Sequence, residues 1–190
     1  MSADYLTSEE RDSLLNLARQ ALEAGVRGNP LPELNPDKLT QRLRADGAAF
    51  ITLTKSGQLR GCIGTLEARR PLAEDVREHA IAAALNDFRF PTVRPTELPD
   101  IDIEISCLTA PKPLDYADQQ DLLARLRPGV DGVVLRDGMR RATFLPQVWE
   151  KLPNPVEFLN HLSQKMGASP DLWRTKDVDV LIYQVEKFHE

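Results

Sequence analysis

Ala48-Ala49-Phe50-Ile51-Thr52-Leu53-Thr54-Lys55, Ser56-Gly57 and Gln58-Leu59-Arg60-Gly61-Cys62-Ile63-Gly64-Thr65 form two strand-like runs joined by a two-residue turn, the pattern of a β-hairpin. With strand geometry kept, side chains two apart share a face, so Arg60 and Cys62 project together, their Cα atoms about 6 to 7 Å apart. A guanidinium beside a thiol favours the thiolate, the reactive form of the group. On that reading Cys62 is an activated thiol. The competing reading is a small buried hydrophobe, since free cysteine is among the most buried residue types. Gly61 and Gly64 flank Cys62, and glycine inside a strand marks a bulge or a close approach by a ligand or another backbone.

Outward from the hairpin, Thr7 and Glu10 have capping-box spacing, and Leu14, Leu15, Ala18, Ala21 and Leu22 repeat at helical intervals until Gly25 and Gly28. Residues 29–37 hold three prolines and read as an extended connector, with a short helix before Gly47. Pro71 suits the first turn of a helix that Leu72, Val76, Ala80 and Ala83 continue toward Asp87. Pro91, Pro95 and Pro99 impose loops. Ile101, Ile103, Ile105 and Cys107 then alternate with Asp102, Glu104, Ser106 and Leu108 as a strand with one apolar face. Residues 118–126 read as helix, 132–136 and 140–144 as a hairpin about Asp137-Gly138, Pro155 as a helix start, and 179–188 as one last strand. Helices and strands mix without regular alternation. The fold class is therefore α+β, with an antiparallel or mixed sheet flanked by helices.

The formal net charge of -5 gives no global attraction to phosphates, so nucleic acid is not an expected partner. The first ten residues lack a basic start and an apolar stretch, which argues against a secretory signal. Charged residues interrupt every hydrophobic run before the roughly 18 to 20 apolar residues of a membrane span, and a cytoplasmic location follows by elimination. Cys62 and Cys107 stand far apart, and His79, His161 and His189 are scattered, so neither a disulfide framework nor a metal site is expected. Nucleotide-binding and serine-nucleophile fingerprints are missing. No cofactor is expected, and cysteine is the remaining nucleophile candidate.

Asp87-Phe88-Arg89-Phe90-Pro91 closes the central helix with a carboxylate and a guanidinium on a loop. Asp87 and Arg89 form a site pair on one reading and fasten the loop on the other. Glu104 is either a solvent-exposed strand residue or, beside Arg60 and Cys62, a proton acceptor. His79 reads as a surface residue rather than a general base.

Leu59-Arg60-Gly61-Cys62-Ile63-Gly64-Thr65 resembles the signature region of the AMMECR domain family. The resemblance continues through Asp87–Phe90, Glu97-Leu98, Ile103–Ser106, Gly129–Gly132, Ala142–Pro146, Lys165–Gly167 and Tyr183, nearly the whole chain. It implies one domain over residues 1–190, built as a larger lobe and a smaller second lobe with the signature residues lining a groove between them. Carried over residue by residue, it marks Arg60, Cys62, Asp87, Arg89 and Glu104 as site positions. On the enzyme reading Cys62 is the nucleophile and Glu104 assists proton transfer, and Arg60, Gly61, Gly64, Thr65, Asp87 and Arg89 are the expected ligand-contacting set. Two departures stand out: Thr92 follows Pro91 where a second proline is frequent, and Asp131 takes the place of a frequent histidine. Bacterial and archaeal members are similar to protein A of the AmmeMemoRadiSam system, which implies a Memo-like protein and a radical S-adenosylmethionine protein as partners. Two functions fit: a thiol-dependent enzyme, or a non-catalytic module that binds a small ligand, peptide or partner protein.

Overall fold

The computed structural model describes residues 5–190, so the signal-sequence reading of residues 1–4 lies outside the described residues. The chain divides into two compact units. One comprises the described residues through Thr109 together with Glu186–Glu190, and the other is Ala110–Val185.

In the first unit, helix α1 (Ser8–Arg27) begins at Thr7, whose hydroxyl accepts the Glu10 N–H while the Glu10 carboxylate accepts the Thr7 N–H. This reciprocal cap satisfies two otherwise orphaned donors. The helix runs through Gly25 and ends at Gly28, which takes the left-handed conformation at φ 70°. A glycine at that position avoids the Cβ penalty, so Gly28 is the terminator and Gly25 is not. The proline-rich connector contains a single 3₁₀ turn at Pro36–Lys38, and the short helix α2 spans Gln41–Arg44.

Strand β1 (Asp46–Lys55) turns at Ser56-Gly57 into β2 (Gln58–Gly64), and β3 (Arg70–Pro71) pairs with the start of β1. Pro71 is the residue before helix α3 (Leu72–Leu85) rather than its first turn. A 3₁₀ segment, Pro95–Asp100, leads into β4 (Ile101–Leu108). The predicted last strand breaks at Gln184 into β8 (Asp179–Tyr183) and β9 (Val185–His189), which join different sheets. In the first unit the strand order is β2-β1-β4-β9. Leu14, Ala18 and Leu22 of α1, Val76, Ala80 and Ala83 of α3, and Ile51, Leu53, Ile103 and Ile105 of the sheet share one core.

The second unit holds β5 (Lys112–Pro113), β6 (Gly132–Asp137), β7 (Arg140–Phe144) and β8 in the order β5-β8-β6-β7, all pairs antiparallel. Helices α4 (Gln119–Arg125), α5 (Pro155–Lys165) and α6 (Leu172–Thr175) accompany it. Leu122, Val133, Leu135, Phe158, Leu162 and Trp173 form its core. Asp131, the residue at the frequent histidine position, is fully buried and accepts hydrogen bonds from Arg127 and Gln184. The architecture is α+β with two antiparallel sheets. Among the described residues no helix is long and apolar enough to cross a membrane.

One irregularity positions everything that follows. An unbroken two-residue hairpin would place Cys62 opposite Ile51, a core position. Instead the register shifts between Leu53 and Thr54: Leu59 opposes Thr54 and Gly61 opposes Leu53, leaving Arg60 as the extra residue of a β-bulge. A one-residue slip exchanges the two faces of a strand, and here it sets Cys62 opposite Thr52 and Gly61 over Leu53. The α3 backbone lies directly on Gly61, where an added Cβ would sit 2.1 Å from the Ala83 carbonyl oxygen. Gly61→Ala is expected to lower stability in urea unfolding by about 3 kcal/mol, because backbone cannot yield as a side chain does. Gly28→Ala, where an added Cβ meets open space, is expected to cost about 1 kcal/mol, the left-handed penalty alone.

Candidate functional site

The structure separates the cation predicted to activate the thiol from the thiol. As the bulge residue, Arg60 leaves the strand alternation, and its guanidinium turns to Glu97, with Nε 3.2 Å from Oε1 and Nη2 3.1 Å from Oε2. Its remaining donors reach the carbonyl oxygens of Pro91 (2.7 Å) and Thr92 (3.3 Å). Lys55 Nζ at 3.1 Å and the Arg94 N–H at 3.0 Å complete the shell around Glu97. The Glu97 carboxyl is drawn from an ordinary 4.5 to about 2, first by the Arg60 hydrogen bond, then by the Arg94 N–H and Lys55 against the cost of burial. The predicted pairing of Arg60 with Cys62 is therefore corrected: a bulge breaks the face-sharing rule on which it rested.

Arg89 takes the place beside the thiol. Asp87, 5% exposed, accepts the Cys62 N–H at 2.8 Å and binds the Arg89 guanidinium through both carboxylate oxygens, at 2.9 and 2.6 Å. Arg89 in turn donates to the Cys62 carbonyl at 3.1 Å. The pair thus both forms and fastens the loop, gripping the outward N–H and C=O of a sheet-edge residue as a neighbouring strand would. The Arg89 guanidinium holds the Asp87 carboxyl well below the usual carboxylate range, although burial opposes this. Asp87 chiefly raises the pKa of Arg89, and the Cys62 sulfur contributes as a further cause.

Cys62 itself is half-buried, and the Thr52 hydroxyl donates to its sulfur at 3.4 Å. Thr52 is also opposite Glu104 in β4, so Cys62, Thr52 and Glu104 form one row across three strands. Two strand spacings put the Cα atoms of Cys62 and Glu104 about 10 Å apart. The Glu104 carboxylate, half-buried, lies 3.8 Å from Lys187 Nζ. The predicted catalytic pair shares a row but not a hydrogen bond.

The remaining predicted ligand contacts are occupied by the protein. An added Cβ at Gly64 would lie 2.5 Å from the Phe50 ring, and Gly61 lies under α3. The Thr65 hydroxyl accepts the Glu67 N–H at 3.2 Å and so shapes a local turn. His79, expected at the surface, has a side chain only 15% exposed, with Nδ1 3.2 Å from the buried Asp75 carboxylate. Asp75 also accepts the Ala49 N–H at 2.9 Å. The sequence reading gave Glu97, Thr52 and Asp75 no part in the site. Glu97 carried a signal, an acid three residues after Arg94 at a proline-rich turn, whereas Thr52 could be found only from the shifted register.

Phe88, between the two clamping residues, is 95% exposed. Half-exposed Arg89 stands next to it, and the Arg89 guanidinium lies 5.5 Å from the Phe90 ring centroid. An antiparallel α+β protein with an arginine bulge and an aspartate-arginine clamp around one cysteine defines the structural class. The chain belongs to the AMMECR1 family, whose family model matches residues 15–188. It is 40% identical over 190 residues to a protein of Methanothermobacter thermautotrophicus, covering 97% of this chain and 96% of that one. It is 37% identical over 195 residues to Protein MK0488 of Methanopyrus kandleri, covering 98% and 91%. The crystal structure of uncharacterized protein PH0010 from Pyrococcus horikoshii superposes with a TM-score of 0.76 at 30% identity, covering 97% of this chain and 93% of that one. These likenesses establish family and fold and bring no activity with them.

The clamp and the bulge pair give a pH signature. Asp87 and Glu97 have folded-state pKa values below their unfolded ones, so their stabilisation is complete above the ordinary carboxylate range and lost as pH falls through it. Urea midpoints should fall from about pH 5 toward pH 2. Glu97→Gln, which leaves the Arg60 guanidinium without its carboxylate, should lose about 1 to 3 kcal/mol at pH 7 and converge with wild type near pH 2.

Proposed function

We propose that this chain is a non-catalytic binding module that docks a partner protein through the loop 87–91, with Phe88 as apolar anchor and Arg89 as its polar neighbour. One observation carries the reading: a phenyl ring 95% exposed sits on backbone held at both sides by the Asp87 and Arg89 hydrogen bonds to β2. Aromatic and arginine side chains dominate interface hot spots. A loop ordered before binding loses little further entropy when it docks. The family resemblance makes a Memo-like protein and a radical S-adenosylmethionine protein the partners to test, in a cytosolic setting that keeps Cys62 and Cys107 as thiols.

Titration calorimetry with each purified partner is the direct measurement. Phe88→Ala should weaken binding by tenfold or more, about 1.4 kcal/mol at least. Cys62→Ser should leave it within about twofold. Wild-type affinity in Phe88→Ala would remove Phe88 from the interface and the reading with it.

The thiol-enzyme reading retains one favourable observation, the Arg89 guanidinium beside the Cys62 sulfur. Two features weigh against it. Asp87 neutralises that guanidinium at close range and is itself bound to the Cys62 N–H, so the sulfur sees an ion pair rather than a net cation. No proton acceptor is in hydrogen-bond contact with the sulfur among the described residues, where general-base activation needs one within about 3.2 Å.

A further inference from the structure

The two residues of β2 on either side of Gly61 hold opposite limbs of one loop. Cys62 holds the outgoing limb: its N–H donates to the Asp87 carboxylate, and its carbonyl accepts from Arg89. Arg60 holds the returning limb, with Nη1 2.7 Å from the Pro91 carbonyl oxygen and Nη2 3.3 Å from that of Thr92. Between the two grips the Phe90 N–H donates to the Asp87 carbonyl at 3.0 Å, and beyond them the Val93 N–H donates to the Ala84 carbonyl at 2.9 Å. Pro91 offers no N–H, so its carbonyl is its one backbone handle. Phe88, 95% exposed, is carried on the loop gripped in this way.

The chemistry of Arg60 suits holding rather than contact. Its side chain is only 14% exposed, and its direction is set by Glu97, which accepts from Nε and Nη2. A guanidinium is a rigid planar fork of five N–H donors, so one group can bind a carboxylate and two carbonyls together. An ammonium carries the same charge on a single point and has no fork. The β-bulge completes the arrangement, because in an unbroken strand Arg60 would share a face with Cys62 and turn away from the loop.

We infer that Arg60 is a positioning residue for the docking loop: without touching the partner, it fixes residues 91 and 92 and through them the presentation of Phe88. The inference rests on the docking reading above and assigns the bulge of β2 to holding that loop. Arg60→Lys is the deciding variant, since it keeps a cation beside Glu97 and removes the fork. Amide hydrogen exchange of the full chain needs no partner. In Arg60→Lys the Phe90 N–H should exchange about tenfold faster, beyond any change at the core amide of Ile51, which would report global destabilisation. Calorimetry with the Memo-like and radical S-adenosylmethionine proteins reads the consequence for docking. Affinity should fall about fivefold in Arg60→Lys, but by less than about twofold when the same change is made in Phe88→Ala, because the two residues act through one another. Were charge alone at work, lysine would keep wild-type affinity. An unchanged Phe90 amide, or the full loss of affinity in both backgrounds, would overturn the inference. Weak binding by Phe88→Ala with wild-type affinity in Arg60→Lys removes the role of Arg60 alone, whereas wild-type affinity in Phe88→Ala removes the docking reading and this inference with it.

Discussion

A single extra residue in β2 governs the site. Because Arg60 is bulged out, Cys62 faces the open side of the sheet instead of the core, and Gly61 falls under α3. The bulge is held from both ends. Glu97 grips the Arg60 side chain through two hydrogen bonds, and the Ala83 carbonyl leaves no room for a side chain at residue 61. Arginine followed by glycine is what this geometry requires: a long fork to reach across to the loop, then a residue without a Cβ.

The same constraint explains why the loop after α3 is ordered. A terminal strand exposes unpaired N–H and C=O groups that invite another chain to pair, and proteins cover such edges. In the first sheet Asp87 and Arg89 take that task at Cys62. In the second sheet Lys165 Nζ donates to the Thr143 carbonyl of the edge strand β7. Side chains thus cover an edge in both units. At Cys62 the cover has a second consequence, since fixing residues 87 and 89 leaves residue 88 no option but to project outward.

Electrostatics close the surroundings of Cys62, whose nearby charges are tied into pairs, Arg60 with Glu97 and Arg89 with Asp87.

Much of the fold was legible in the sequence. The capping box of α1, the alternation of β4, the hairpin turn at Ser56-Gly57 and the α+β class all follow from local patterns, because hydrogen-bond satisfaction and burial leave their period in the order of residues. The family resemblance also singled out Arg60, Cys62, Asp87 and Arg89. Their arrangement was not legible. The pairing of Arg60 with Glu97, the exchange of Arg89 for Arg60 beside the sulfur and the division of the last strand between two sheets depend on contacts between residues distant in sequence. A strand's period of two predicts which side chains share a face only while the ladder is unbroken. Whether one residue loops out is decided by the helix and loop packed against it, and those forces act only once the chain has folded.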